Sequence, residues 1–205
     1  KDNLEFALLF KNTELKFTNA FMDPEVVKGI EGKVNGKIVV KGSPDHPLLS
    51  GKLKLQNAAA NIELLGVRYT LNGEVEVVED AFYINNLPVK DEDGNTASLV
   101  GQIYHKNFDK WDYNMNFNFE DDISKRDPQA PYRNLPLERF LVMKTTYKQG
   151  DYYYGKAYAR GTANISGYGN KMDVTVDVET KTGTLITFPM YGASDLDEEE
   201  NFIQF

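Results

Sequence analysis

The residue types that most often carry out catalysis or bind metals are sparse in this chain. It has two histidines, His46 and His105, and no cysteine, so thiolate metal sites and cysteine nucleophiles are excluded. His46 lies in a proline-flanked turn, and His105 lies far along the chain, just before another turn. A metal site or a catalytic triad needs partners at defined positions, and the spacing supplies none. We therefore predict that both are surface histidines.

Two acidic segments are candidates for ion binding. Asp91-Glu92-Asp93-Gly94 resembles the start of a calcium loop, but the EF-hand loop requires Asp at alternate positions, Gly at the sixth and Glu at the twelfth. The Gly at the sixth position and the Glu at the twelfth are absent here, so a polar hairpin turn is predicted. The acidic segment from Asp195 to Glu200 is more typical of a solvated loop. We predict neither a metal site nor a cofactor.

No motif for acid–base or nucleophilic catalysis stands out. Acids are abundant, but none has an obviously apolar setting, and no serine lies in a nucleophile elbow. We therefore predict that the protein is not an enzyme.

Glycine recurs within alternating segments, which argues against a phosphate loop. Such a loop opens onto a helix N-terminus, whereas these glycines lie in predicted strands, on the apolar side. Glycine in a strand marks a bend, a bulge or a close approach of another group. Either these small residues leave room for a ligand, or the aromatic residues of 111–119 pack into that room. The composition favours the second alternative. The glycines are Gly32, Gly36, Gly42, Gly155, Gly161 and Gly167.

Any functional side chains would be positioned by β-strands, and the clearest strand pattern lies between Trp111 and Phe119. Successive side chains of a strand point to opposite sides of the sheet. This stretch therefore predicts one long strand with a wholly polar side, Asp112 to Asn118, and a large apolar side. The apolar side consists of Trp111, Tyr113, Met115, Phe117 and Phe119.

The same alternation runs through most of the chain, and no stretch has a sustained helical period. With no helix to cover it, the sheet must cover itself as a sandwich, a closed barrel or a long antiparallel or mixed sheet curled over like a taco. We predict a single all-β domain over residues 1–205, with a long loop from Asp121 to Glu138. The other regularly spaced apolar positions are Val34, Ile38, Leu53, Leu55, Val75, Val77, Leu99, Ile103, Ile165, Val174, Val176 and Val178.

The charge and the N-terminal residues exclude several classes of function. The formal net charge is -8, and the sequence has no basic patch of the kind that nucleic-acid binders carry, so no nucleic-acid partner is expected. The acidic balance also argues against binding anionic membranes by charge. The segment Leu4–Phe10 is too short for a transmembrane helix and lacks the plan of a signal peptide. A chain that starts within an alternating pattern is expected to be part of a longer protein.

The order of motifs resembles the C-terminal domain of the TamB family of translocation and assembly module subunits, in the AsmA-like superfamily. The resemblance begins with Gly32-x-Val34-x-Gly36-x-Ile38-x-Val40-x-Gly42 and Pro47-Leu48-Leu49-Ser50-Gly51-x-Leu53-x-Leu55-x-Asn57-Ala58. It continues through Tyr69-x-Leu71-x-Gly73, Ala97-x-Leu99-x-Gly101-x-Ile103-x-His105 and the segment from Tyr153 to Gly167. It ends with Thr180-x-x-Gly183-Thr184-x-Ile186-x-Phe188-Pro189 and Phe202-Ile203-x-Phe205. The ordered series covers residues 29–205, and because family domains usually continue further, a truncated piece is expected.

The resemblance implies a periplasmic half-pipe, or β-taco, with an apolar concave side. The full-length protein would be anchored in the inner membrane of a Gram-negative bacterium and reach toward an Omp85-family (TamA-like) outer-membrane partner. Its implied work is phospholipid transport, outer-membrane protein assembly, or both, with no catalytic residues. The implied groove lining is Val34, Ile38, Leu53, Leu55, Val75, Val77, Leu99, Ile103, Trp111, Tyr113, Met115, Phe117, Phe119, Ile165, Val174, Val176 and Val178.

Two alternatives stay open at this point. In the first, the exposed sheet edge adds a strand from an unfolded outer-membrane protein or from the Omp85 partner. In the second, the chain is a closed β-sandwich that acts as a carbohydrate-binding or adhesin module and presents tyrosines such as Tyr152 or Tyr158 to sugar.

Overall fold

The protein is all-β over the residues that the computed structural model describes, which are 4–106, 110–120, 139–168 and 171–189. Within these ranges, one 3-10 helix (Leu15–Phe21) accompanies eleven strands. The predicted loop from Asp121 to Glu138 and the acidic segment from Asp195 to Glu200 lie outside them. The strands are β1 (Leu4–Glu14), β2 (Val27–Ser43), β3 (His46–Ile62), β4 (Val67–Glu79), β5 (Ala81–Lys90), β6 (Thr96–Lys106), β7 (Lys110–Asn118), β8 (Phe140–Thr145), β9 (Tyr154–Tyr168), β10 (Lys171–Thr180) and β11 (Leu185–Thr187).

All eleven strands belong to one antiparallel sheet that does not close on itself. Its order is β1-β2-β3-β4-β5-β6-β7-β9-β10, with β8 and β11 also paired to β9. β7 and β8 lie along the same edge of β9, and β10 and β11 lie along the other. The eleven strands therefore fill nine positions, and from β1 to β7 neighbours in the sheet are also neighbours in the chain.

The predicted aromatic strand is confirmed as β7, which pairs with β6 on one side and β9 on the other. The alternation that predicted it also sets its register, because a slip of one residue would turn every large side chain to the opposite side of the sheet. Phe119 follows the last residue of β7 and still donates its backbone N–H to the carbonyl of Gly161, at 3.0 Å.

The core consists of three clusters of buried side chains. The largest spans β4 to β9 and contains Val75, Ile84, Leu87, Val89, Ala97, Leu99, Phe119, Phe140 and Ala159. A second joins β2, β3 and β4 through Ile38, Val40, Leu49 and Val77. A third consists of Val67, Leu141 and Tyr158.

One end of the sheet brings together strands that are not neighbours in it. β8 fills the same position as β7, so in a flat sheet it would lie about 14 Å from β4, three strand spacings away. Instead, the backbone N–H of Lys144 in β8 donates to the carbonyl of Leu65, just before β4, at 2.8 Å. The Tyr69 hydroxyl donates to the carbonyl of Leu141 at 2.9 Å. The sheet must therefore bend at this end.

Candidate functional site

Two rows of apolar or glycine residues cross all nine strand positions. Residues that face each other across an antiparallel ladder lie on the same side of the sheet. The first row is Leu8, Ile38, Gly51, Val77, Phe82, Ile103, Tyr113, Gly167 and Met172. The second row is Phe10, Gly36, Leu53, Val75, Ile84, Gly101, Met115, Ile165 and Val174.

The seventeen predicted lining residues lie in or beside these rows, and their exposure varies along the sheet. Near the middle the side chains are covered, and toward β10 they are open to solvent. The buried ones are Val34, Ile38, Val75, Val77, Leu99 and Phe119. The half-buried ones are Leu53, Leu55, Ile103, Tyr113, Met115, Phe117 and Ile165. The exposed ones are Trp111, Val174, Val176 and Val178.

Both edges of the sheet expose apolar side chains. On β10, Met172, Val174, Val176 and Val178 are each between 41% and 55% exposed. On β1, Phe6 and Leu8 are 47% and 45% exposed. The apolar rows therefore have a filled centre and two open stretches.

Large side chains occupy the space beside two glycines on this side of the sheet. A Cβ added to Gly167 would lie 2.4 Å from the Tyr113 ring, and one added to Gly101 would lie 2.8 Å from the Met115 sulfur. Both distances are well inside van der Waals contact. At these two positions, aromatic and methionine side chains of β7 therefore pack into the room that glycine leaves.

His105 is buried, at 3% exposure, so the prediction of a surface histidine is wrong for this residue. Its ring lies 5.9 Å from that of Phe82 and 5.6 Å from that of Trp111, centroid to centroid. Burial lowers the pKa of His105 because a charged imidazolium is poorly solvated there. The signal was available in the sequence, since His105 shares the parity of Leu99 and Ile103. His46 is exposed, as predicted.

Asp91 is a buried carboxylate, at 6% exposure, although no acid was expected in an apolar setting. Its Oδ1 accepts hydrogen bonds from the backbone N–H groups of Asp93, at 3.0 Å, and Asn95, at 2.8 Å. Its Oδ2 accepts from Asn95 Nδ2, at 2.7 Å, and from the backbone N–H of Leu141, at 2.8 Å. The predicted polar turn is confirmed, and it also anchors β8.

The next two carboxylates of the turn bind neighbouring strands. Glu92 accepts hydrogen bonds from Lys144 Nζ in β8 and from the backbone N–H of Arg68 in β4. The Lys144 ammonium holds the pKa of Glu92 below its usual value, and the backbone N–H of Arg68 acts in the same direction. We refer to the three carboxylates of residues 91–93 as the clasp.

The third clasp carboxylate, Asp93, binds two side chains of β9. It accepts hydrogen bonds from the Tyr158 hydroxyl and, at 3.2 Å, from Lys156 Nζ. These donors lower the pKa of Asp93, the Tyr158 hydroxyl most. The Tyr158 ring also lies under the Arg139 guanidinium, 4.0 Å from its centroid. Each clasp carboxylate is committed to protein donors, and the described part of the chain contains no group of three or more metal-binding side chains.

The opposite side of the sheet is polar where β6, β7, β9 and β10 meet. Asn164 donates from Nδ2 to the Oδ1 atoms of Asn114, at 2.7 Å, and Asn116, at 2.8 Å. A shallow hollow of about 410 Å³ lies here. Its lining combines polar side chains with the apolar residues Val100, Phe117 and Ala163. Its polar lining is Ser98, Asn116, Asn118, Thr162, Asn164, Thr175 and Asp177.

Comparison with known proteins identifies no relative of this chain. No family model, no curated protein and no solved structure matches this chain. Among the described residues, no helix has the length and apolar character needed to cross a membrane. The function must therefore be argued from the residues and their geometry.

Proposed function

We propose that this chain is a non-enzymatic, TamB-like lipid-transport segment whose sheet curls into a β-taco and shields phospholipid acyl chains. The observation that carries the proposal is the pair of unbroken apolar rows with solvent-exposed valines at the β10 edge. Monomeric proteins rarely leave contiguous apolar patches beyond a few hundred Å² without a partner. Hydrocarbon is the partner that such a surface fits best.

The size of the hydrophobic effect explains why such a surface would be needed. Each CH₂ group removed from water contributes about 0.8 kcal/mol, so an acyl chain leaving a bilayer for water loses on the order of 10 kcal/mol. A carrier must replace that contact with continuous apolar surface. The valines of β10, together with Ile165 of β9 and Tyr113 of β7, offer it in adjacent strands.

The proposal assigns different roles to different parts of the rows. Between β4 and β7 the side chains pack against each other and leave little room, so acyl chains are held at the open stretches. The primary lipid contacts are then Ile165, Val174, Val176 and Val178, with Phe6 and Leu8 as a second stretch at the β1 edge.

The setting of this activity follows from the same proposal. The chain would work in the periplasm of a Gram-negative bacterium, as part of a protein anchored in the inner membrane. Its partners would be phospholipid and an Omp85-family outer-membrane protein. The ordered motifs from Gly32 to Phe205 support this assignment.

The test is photocrosslinking from adjacent positions of β10. A benzophenone side chain is placed at Val176, on the apolar side, and separately at Thr175, on the polar side of the same strand. The 205-residue chain is incubated with vesicles of phosphatidylethanolamine and phosphatidylglycerol, irradiated, and analysed by mass spectrometry. We expect phospholipid adducts from position 176 at several times the yield from position 175. Equal yields, or no adduct from position 176, would refute the proposal.

A second candidate function is strand addition at the β10 edge. All ten residues of β10 are exposed, and β10 pairs with β9 along one edge only, as far as the chain is described. An extended segment of an unfolded outer-membrane protein, or of the Omp85 partner, would pair with the other edge. Peptide adducts from both positions 175 and 176, without lipid, would favour it. A closed sandwich is not retained, because it needs two packed sheets and the described strands form one.

A further inference from the structure

β8 places an aromatic side chain inside the apolar rows. Phe140 is 4% exposed and pairs with Ala159 of β9. Its ring stacks on that of Tyr69 in β4, with centroids 5.4 Å apart, and on that of Phe119, 5.7 Å apart. Phe140 therefore bridges from β9 to β4 and fills the space between them.

β8 is a short strand that pairs with β9 along one edge and contacts the clasp along the other. β8 has six residues, and its register with β9 is broken between Leu141 and Met143. Its other edge is held by the bonds from Lys144 to Leu65 and from Leu141 to Asp91. The ion pair between Lys144 and Glu92 is partly exposed, and exposed ion pairs contribute little because water screens them.

The neighbouring strand is held to the same turn by a second exposed pair, Lys156 with Asp93. The clasp thus joins the β5–β6 turn to β4, β8 and β9 at once. Local elements with few buried contacts and exposed hydrogen bonds open at lower free energy than the rest of a protein. β8 fits the second part of that description, because its ion pair to the clasp is partly exposed, but not the first, because its side chains Phe140 and Leu141 are buried.

We propose that β8 is a displaceable plug: Phe140 occupies the central hydrocarbon site in the empty protein, and an acyl chain takes its place when β8 swings away. This inference rests on the proposed function. The acyl chain would replace the apolar contacts of Phe140, so the obstacles are release of the clasp and removal of Leu141 from its contacts with Val67 and Tyr158. A ligand that binds only the open form raises its population in proportion to its affinity for that form. With the plug displaced, the two open stretches of the rows would join.

The first test measures opening without lipid. Glu92→Gln with Asp93→Asn keeps the shapes of two clasp side chains and removes their charges. We expect the backbone amides of Leu141 and Lys144 to exchange with deuterium at least tenfold faster than in the wild type, with unchanged exchange in β2 and β3. The matched control, Glu74→Gln with Glu76→Gln on the polar side of β4, removes the same charge. Unchanged exchange at both β8 amides in the clasp variant would overturn the plug.

The second test locks β8 in place. The chain has no cysteine, so Leu65→Cys with Lys144→Cys gives one defined disulfide between adjacent backbones. A control pair, Asn164→Cys with Thr175→Cys, joins the directly opposed residues of β9 and β10 and leaves β8 free. A benzophenone side chain at Phe117, which packs against the central cluster, reports phospholipid entry from the same vesicles. We expect the oxidised lock to lower adduct yield at position 117 at least fivefold and reduction to restore it.

The outcomes separate the two proposals. Lipid adducts at position 176 but equal adducts at position 117 in the locked and unlocked forms would overturn the plug and keep the proposed function. Lipid adducts at position 176, with none at position 117 even after the lock disulfide is reduced, would also overturn the plug and keep the proposed function. Absence of lipid adducts at both positions would refute the proposed function, while the exchange experiment would still decide whether β8 opens.

Discussion

Replacing the buried carboxylate of Asp91 with an amide tests the most densely bonded side chain of the clasp. In Asp91→Asn, one carboxylate oxygen becomes an NH₂ group, while size and shape are conserved. Oδ1 accepts two hydrogen bonds and Oδ2 accepts two. Whichever way the amide turns, two donors lose their acceptor and face another donor.

The expected cost follows from that count. A hydrogen bond to a charged group contributes about 1.5–3 kcal/mol, so losing two predicts a loss of about 3–6 kcal/mol in the free energy of unfolding. Domains of this kind are stable by about 5–15 kcal/mol, so the variant should be severely weakened. Asp173→Asn, at an exposed position of β10, is the control and should change stability by less than about 0.5 kcal/mol.

Urea unfolding followed by circular dichroism measures the global effect, and deuterium exchange of the Leu141 amide measures the local one. We expect a lowered urea midpoint, faster exchange at Leu141, or both, depending on whether β8 detaches before the sheet unfolds. A loss below about 1 kcal/mol, together with wild-type exchange at Leu141, would show that the four hydrogen bonds do not hold the turn as described.

Three further predictions concern single positions, each followed by urea unfolding. Gly101→Ala should lose about 1–3 kcal/mol because the added Cβ would lie 2.4 Å from the backbone carbonyl oxygen of Asn114 and 2.8 Å from the sulfur of Met115; a neutral effect would contradict these contacts. Tyr158→Phe removes the hydroxyl that bonds Asp93 and should lose about 1 kcal/mol after allowance for solvent screening; no loss would mean that the bond is replaced by water. The wild type should lose stability as pH falls below 6.5, because the folded-state pKa of His105 is lowered from that value and protons bind the unfolded chain more readily. His105→Phe should flatten the dependence between pH 7 and pH 5, and an unchanged slope would exclude His105 as its source.

The sheet was predictable from sequence because side-chain alternation is a local property. Trp111, Tyr113 and Met115 had to share one side of a strand wherever that strand lay, and the registers with β6 and β9 keep them together. The absence of a helical period likewise predicted that strands would make up the fold. The curl of the sheet and the binding of lipid remain predictions, as does the resemblance to TamB.

The clasp and the position of β8 were not predictable, because they depend on contacts between distant segments. Asp91 and Leu141 are fifty residues apart, and although Asp91 shares the parity of Leu87 and Val89, the acidic residues that follow it are typical of a solvated turn. A short acidic turn has the same local pattern whether it is solvated or covered by another strand. The parity of His105 likewise placed it among buried residues, and only its polar type suggested the surface.

The order of the sheet has one further consequence. Because β1 to β6 each form ladders only with the strands beside them in the chain, the energetics of this part of the sheet resemble a one-dimensional array with nearest-neighbour coupling. Inserting a hairpin between β2 and β3 would interrupt only the ladder between those two strands and would lengthen the span of the sheet. A sheet of this kind can gain strands by duplication of a hairpin while the other existing ladders are kept. Its length across the strands can therefore change during evolution without a change of fold.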